Sequence, residues 1–253
     1  MIQETWRFEK EEFDLHGCKI IHAGLAHPPA STPRRRGRPG KEGVAIILGK
    51  IATEAWNNSN NFLYSHDARI ISARLVFPSE NLRDKPISIY IVSAYAPTSN
   101  ASNTTITAYL DELRTCINKK EQHDILIIGS DTNSSMGIKT SSNSQSTNSV
   151  ESIGSYGLTD KNAEGIRFLS FLQSEDLVAM STYFQKPPIK YQTWIHPRSK
   201  TPYQIDHIIT NKESFNLFKD VTTTEHLVDS DHYPVMAKLE TKQAHNKHRP
   251  SNN

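Results

Sequence analysis

Cysteine is nearly absent from this chain of 253 residues: Cys18 and Cys116 are the two. Thiols so far apart form no metal-ligand spacing and allow one bridge at most, so a disulfide scaffold is excluded and reduced thiols are expected. Glycine, at 11 residues, is too scarce for a collagen-like or low-complexity chain. Long apolar runs are missing as well. The longest stretches, 44–48, 125–128 and 205–210, fall far short of the roughly 20 residues that cross a bilayer. The opening residues Met1-Ile-Gln-Glu4 carry neither the basic nor the apolar region of a secretory leader. The expected compartment is therefore intracellular, nuclear or cytoplasmic, with no membrane partner. Nor does one sign of charge dominate: 29 Lys and Arg against 27 Asp and Glu leave +2. Binding to a polyanion must then come from local basic patches, because backbone affinity scales with the phosphates neutralised.

What is present is an ordinary apolar content of 36%, ample at this length for a real core. Ile106, Tyr109, Leu110, Leu113 and Ile117 recur at steps of three and four, which predicts a helix. Ile166, Leu169 and Leu172 predict a second helix over about 164–175. The runs 43–50, 70–77, 87–95, 124–129, 177–181, 192–195, 205–210 and 234–239 are short, β-branched or aromatic, and bounded by turn formers, so they read as strands. Segments 70–77 and 87–95 are too close for a crossover helix, so they pair antiparallel. The fold class that follows is α/β: a layered sandwich of two packed, mixed, largely antiparallel sheets with flanking helices. One domain over 1–240 is expected, followed by a disordered tail over 241–253. Residues 26–41 and 139–149 also read as loose.

Polar residues sit at strand ends. Segment 124–129 leads into Asp131 and Asn133, and 87–94 leads into Tyr95. Asp206 opens one strand, and Asp231 and His232 precede the last. Strand ends in layered α/β folds converge on one crevice. A cluster of carboxylates, an amide, a phenol and an imidazole would result. Hard oxygen donors without a Cys/His set favour magnesium or manganese, which borrow phosphate oxygens, so the pattern points to phosphoryl chemistry. A histidine oriented by a carboxylate is suited to moving a proton in such a reaction.

The segments Ile2-Gln-Glu-Thr5, Tyr95-Ala-Pro97, Gly129-Ser-Asp-Thr-Asn133, Thr193-Trp194, Gln204-Ile-Asp-His207 and Ser230-Asp-His232 stand in an order and spacing that resembles the endonuclease/exonuclease/phosphatase superfamily. The resemblance covers nearly the whole chain. Within it, Gly43-Val-Ala-Ile-Ile47, Arg69-Ile-Ile71, Asn162-Ala-Glu-Gly-Ile-Arg167 and Trp194-Ile-His-Pro-Arg-Ser199 look most like the endonuclease domains of LINE-type retrotransposons and their domesticated, craniofacial-development-protein-like relatives. The resemblance implies that Glu4 binds a divalent metal, Mg2+ or Mn2+, with Asp231 beside it. It implies that Tyr95 supports the phosphate, that Asp131 and Asn133 handle the water or leaving group, and that Asp206 holds His232. The implied reaction is hydrolysis of a DNA phosphodiester by a monomer, leaving 3′-hydroxyl and 5′-phosphate ends. Members of the superfamily carry a further strand and an Asn or Asp ligand before the Gln-Glu-Thr motif. This chain starts at that motif, so the expectation is an N-terminally truncated domain lacking its first strand. The spacing Gly-x-Asp-x-Asn also departs from the commoner Gly-Asp-x-Asn.

Each residue has a plainer reading. Asp131 and Asn133 serve equally as turn formers, and Tyr95 as a strand-end aromatic. Trp194 reads as core or rim packing before it reads as a base-stacking platform. His196 and Arg198 touch phosphate in one reading and face solvent in the other. Arg34, Arg35, Arg36 and Arg38 fall around Arg-Gly-Arg-Pro, the core of an AT-hook that enters the minor groove, and the same composition suits a nuclear-import signal or a solvated loop. The function expected is a metal-dependent DNA endonuclease of retrotransposon origin. The alternatives are a catalytically inactive nucleic-acid-binding remnant, or a hydrolase of nucleotides, inositol phosphates or lipids.

Overall fold

The computed structural model describes residues 1–26, 42–79, 85–139, 150–225 and 230–241. The four arginines at 34, 35, 36 and 38, and residues 242–253 of the expected tail, lie outside them. The first strands are β1 (Ile2–Gln3), β2 (Lys10–Leu15), β3 (Cys18–Ala23) and β4 (Val44–Leu48), forming an antiparallel sheet of order β1-β4-β3-β2. The β2–β3 hairpin is a correction to the sequence reading. Its outer strand is Lys-Glu-Glu-Phe-Asp-Leu, charged along its exposed positions as suits a sheet edge, and so it carries no apolar alternation. His16 and Gly17, both at positive φ (49° and 78°), make the two-residue turn whose twist matches the strands it joins.

A second correction follows at once. The expected strand over 43–50 stops at Leu48, and α1 (Lys50–Asn57) begins. This helix is two turns long, too short for its buried pair Ala55 and Trp56 to set up a visible period. Next come β5 (Leu63–His66), β6 (Ile70–Phe77), β7 (Ile87–Tyr95), α2 (Asn103–Ile117) and β8 (Ile125–Asp131). Then follow α3 (Ala163–Ser174), β9 (Leu177–Ala179), β10 (Trp194–Ile195), β11 (Pro202–Tyr203), β12 (Asp206–Asn211), β13 (Phe218–Thr223) and β14 (Val235–Leu239). Both predicted long helices, the β6–β7 antiparallel pair and the central strands stand where the sequence placed them. The run 192–195 shrinks to two residues, and β13 was missed because its apolar positions are few and interspersed with Lys, Asp and Thr.

The central sheet has the order β5-β6-β7-β8-β12-β9. Only β7–β8 is parallel, with α2 as its crossover. Strand β7 is largely apolar, Ser88 and Ser93 apart, because both faces are covered. Tyr90, Val92 and Ala94 face one core with α2 and α3, while Ile91 and Tyr95 face a second core with Ile21, Val44 and Ile46 of the four-stranded sheet. The β13–β14 hairpin packs on the same side through Phe218 and Val221 against Val178 and Ile208. The layering is thus helices, central sheet, then a four-stranded sheet and a hairpin side by side. The mixed character belongs to the central sheet alone. Among the described residues no helix is long and apolar enough to cross a membrane.

The start of α3 is fastened to the loop that follows β8. Asn162 caps the helix by accepting from Gly165 N at 2.8 Å, and it also accepts from Ser135 N at 3.3 Å. Gly165 lets the two backbones touch: an added Cβ would lie 1.8 Å from Ser135 O. Helix propensity alone would have Gly165→Ala stabilise by about 1 kcal/mol. We expect the reverse, a loss of about 1–3 kcal/mol from overpacking against backbone, seen as a lower urea midpoint. A rise in the midpoint would refute the contact.

Candidate active site

The rim of the central sheet is set by register. At the end of the parallel pair Tyr95 lies opposite Asp131, and at the start of the next strand Asp206 lies opposite Asp131. Register partners share a face of a sheet. Tyr95, Asp131 and Asp206 therefore form one row that projects toward the second layer. Strand β8 runs on through Asp131, two residues past its expected end. Above the row opens a cleft of about 620 Å³ whose walls include Glu4 beyond β1 and residues 230–235 leading into β14.

The polar side chains in and around the row have defined partners. His232 Nδ1 and Asp206 Oδ2 are 3.0 Å apart. Asp131, only 2% exposed, accepts from the amide of Asn133 at 2.9 Å, a tight turn that Asn133 makes at φ 47°. Asn133 Nδ2 donates to Ala96 O at 2.8 Å, tying the turn to the end of β7. The Tyr95 hydroxyl donates to Glu4 Oε1 at 2.5 Å. Glu4 reaches it from a left-handed backbone (φ 53°), while Gln3 Nε2 bonds Ser93 Oγ and Gly129 O, both at 3.1 Å, and so docks β1 onto the central sheet.

Burial first, and the charge of Asp206 second, push the Asp131 carboxyl well above the ordinary range, against the opposing pull of His232 and the Asn133 amide. For His232, burial works downward but is outweighed by the hydrogen bond and charge of Asp206, with Asp131 and Asp231 adding, so its pKa rises to about 9. Burial and the bond to Glu4 raise Tyr95, which stays a neutral donor. Neighbouring His207 points its Nδ1 at Ser181 Oγ, 2.8 Å away, and burial lowers it to about 4, so it stays uncharged.

Of the sequence-derived residues, Glu4, Asp131, Asp206 and His232 line one cleft, and Tyr95 and Asn133 join them through Glu4 and Asp131. Ligand atoms of Asp131, Asp206 and His232 all lie within 4.8 Å of one another, and the two carboxylates of this group offer the oxygen donors that a hard divalent cation takes. Asp231 lines the cleft but turns its Oδ2 to Trp194 Nε1, 2.8 Å away, and Glu4 and Asp231 stand outside that three-residue group. Trp194 is half-buried at the rim, its ring centre 5.6 Å from that of Tyr203 and 6.2 Å from that of His232. His196 packs edge-on against Trp194 at 5.5 Å, and Arg198 is exposed. Sequence reasoning gave no role to Arg69. Its guanidinium sits 5.2 Å from the centre of the Tyr95 ring, donates to Tyr95 O at 3.3 Å and is ion-paired with Glu42. A single cation before an Ile-Ile strand was its one trace in the sequence.

The sequence profile of a family described as "Endonuclease-reverse transcriptase" matches residues 89–236, more than half of the chain. The chain belongs to this family. The matched span includes Tyr95, Asp131, Asn133, Asp206 and His232, whereas Glu4 lies before it. Craniofacial development protein 2 of Bos taurus and that of Tragulus javanicus are each 27% identical over 203 residues, which is 80% of this chain. The chain spans about a third of their length, 31% and 32%. Among solved structures, the catalytic domain of APE2 from Xenopus laevis superposes with a TM-score of 0.58 at 18% identity, covering 94% of this chain and 81% of that one. The endonuclease domain of TRAS1, a telomere-specific non-LTR retrotransposon, gives 0.54 at 14% identity over 90% of this chain and 83% of its own. An AP endonuclease from Archaeoglobus fulgidus gives 0.56 at 13% identity, over 89% and 80%. These likenesses establish the shared endonuclease/exonuclease/phosphatase fold.

The Asp206–His232 pair can be titrated without turnover. In the absence of divalent cations, the His232 ring is expected to titrate near pH 9 by NMR, and to fall back toward the ordinary 6.5 in Asp206→Asn. Because the folded-state pKa is the higher one, the pair's stabilisation is complete below about pH 6.5 and is lost as pH rises through about 9. The urea midpoint should therefore fall more over that window in the parent than in His232→Gln. Titration of His232 at its ordinary pKa in the parent would show that the pair is not formed in solution.

Proposed function

We propose that the chain is a divalent-metal-dependent endonuclease of retrotransposon origin that hydrolyses DNA phosphodiester bonds, leaving 3′-hydroxyl and 5′-phosphate ends. The observation that carries the reading is the convergence of Asp131, Asp206 and His232 within 4.8 Å, beside the Tyr95–Glu4 pair, in a cleft of a family of endonucleases. The names of its neighbours, an AP endonuclease and the endonuclease domain of a telomere-specific non-LTR retrotransposon, support a nucleic acid, read here as DNA, as the substrate. Mg2+ or Mn2+ would be held by carboxylates of the cleft, Glu4 beside Tyr95 and Asp231 at the wall. When bound, the cation supplies positive charge to the phosphoryl oxygens.

The chain's own groups divide the remaining work. Asp131, its pKa lifted toward neutrality, exchanges a proton with the attacking water, and Asn133 orients the phosphate beside it. His232, held by Asp206 and charged at neutral pH, faces the negative charge that gathers on the phosphate. Tyr95 remains protonated, and with Glu4 engaged by the cation its hydroxyl would be free to donate toward the same oxygens. The working form is a monomer in the nucleus or cytoplasm.

Supercoiled plasmid incubated with Mg2+ tests this directly. The parent should nick it, and chelation should abolish nicking. Asp206→Ala and His232→Ala, checked for folding by circular dichroism, should each lower the rate by about 10²–10⁴, and the new ends should ligate without kinase treatment. Turnover of soluble phosphoesters with no nicking would assign the cleft to a different phosphoester, and no turnover of either would leave a remnant without catalysis.

A further inference from the structure

The Asp206–His232 contact joins segments 26 residues apart in sequence, and neither is anchored by the central ladder alone. Strand β9 pairs with β12 only from Ile209 onward, so among the described residues the start of β12 has no ladder partner on that side. His232 lies just before β14, in backbone pairing with a single residue, Trp194. Both are gripped by the residue before that tryptophan. Thr193 is 1% exposed, and every polar atom it owns is engaged. Its Oγ1 accepts from Ile205 N and from Asp206 N, each at 2.9 Å. Its carbonyl accepts from Tyr233 N, the amide that follows His232, at 2.8 Å. Its own N–H donates to Tyr203 O at 2.9 Å. On the opposite side, Ile205 O accepts from both Thr132 N and Thr132 Oγ1 at 2.8 Å, so the peptide before Asp206 is clamped from two directions.

We infer that Thr193 is the positioning residue of the site: through its hydroxyl it fixes the backbone of Asp206, through its carbonyl that of His232, and so it sets the distance between their side chains. No other residue type supplies the same combination. Serine keeps the acceptor without the branch that stiffens the side chain. Valine keeps the shape and leaves two buried amides with nothing to bond. Thr193 touches no reacting atom, so its influence is felt only through the pair. The catalytic consequence rests on the hydrolase reading above, whereas the geometric one does not.

The full chain carrying Thr193→Val or Thr193→Ser is compared with the parent after circular dichroism and thermal unfolding have confirmed folding. The readout free of turnover is the downfield NMR signal of the His232 ring N–H bonded to Asp206, recorded without metal. It should be present in the parent and in T193S, and lost in T193V. In the nicking assay T193V should lower kcat by about a hundredfold, the penalty of a misplaced pair, with KM within about twofold, and T193S should recover most of the rate. A folded T193V with the parental signal overturns the inference, whatever its rate. Loss of the signal in T193V with retention in T193S, from a parent that does not nick, upholds the inference and counts against the hydrolase reading alone. Where T193V does not fold, amide exchange in the parent decides: protection of Ile205, Asp206 and Tyr233 supports the clamp, and exchange as fast as that of unpaired loop amides overturns it.

Discussion

A carboxylate almost wholly removed from water is the constraint around which this end of the molecule is arranged. Asp131 stands in the rim row at 2% exposure, and an isolated charge there would cost several kcal/mol. Three things offset that cost. The Asn133 amide donates to it, which requires the left-handed turn that Asn tolerates and most residues do not. The His232 cation stands within reach, itself kept charged by Asp206. The remainder is met by proton uptake, seen in the upward displacement of the Asp131 pKa. Remove any one and the other two must carry more. That interdependence is why the turn after β8, the start of β12 and the approach to β14 behave as one unit.

The sheet supplies the second half of the explanation. One parallel pair and one antiparallel pair share β8, so the ends of two strands and the start of a third meet at the same rim. A wholly antiparallel meander would send alternate strand ends to opposite rims and scatter the same residues. Closure of the row then depends on the second layer. Gln3 docks β1 over Ser93 and Gly129, which delivers Glu4 to Tyr95, and Thr193 delivers His232 to Asp206. Both deliveries use buried backbone partners, and buried polar groups are positionally unforgiving.

Legibility in the sequence follows from how local each signal is. The helices α2 and α3 and the strands β6, β7 and β8 were readable because their burial repeats along their own length. Strand β2 was not, since an edge strand is protected by charge, and α1 was not, since its packing rests on two residues held by other elements. Glu4, Tyr95, Asp131, Asn133, Asp206 and His232 were readable as an ordered set of motifs, though each alone had a plainer reading, Asp131 and Asn133 as turn formers and Tyr95 as a strand-end aromatic. What stayed hidden was orientation. Nothing local says that Asp231 turns to Trp194 or that Arg69 lies along Tyr95, because both depend on segments far away in the chain.

Charge explains why the cleft and a divalent cation belong together on the proposed reading. Four carboxylates, Glu4, Asp131, Asp206 and Asp231, surround a space that also holds one imidazolium. With Asp131 protonated the balance is still negative, so an approaching phosphodiester is repelled more strongly the drier the cleft becomes. The net charge of +2 over 253 residues offers no long-range field to overcome this. A cation held by the carboxylates would reverse the local sign and lower the Asp131 pKa, leaving that group able to take a proton. Substrate entry and activation of the water would then answer to the same event, and the buried carboxylate that is costly to the empty fold would be the group that the loaded site uses.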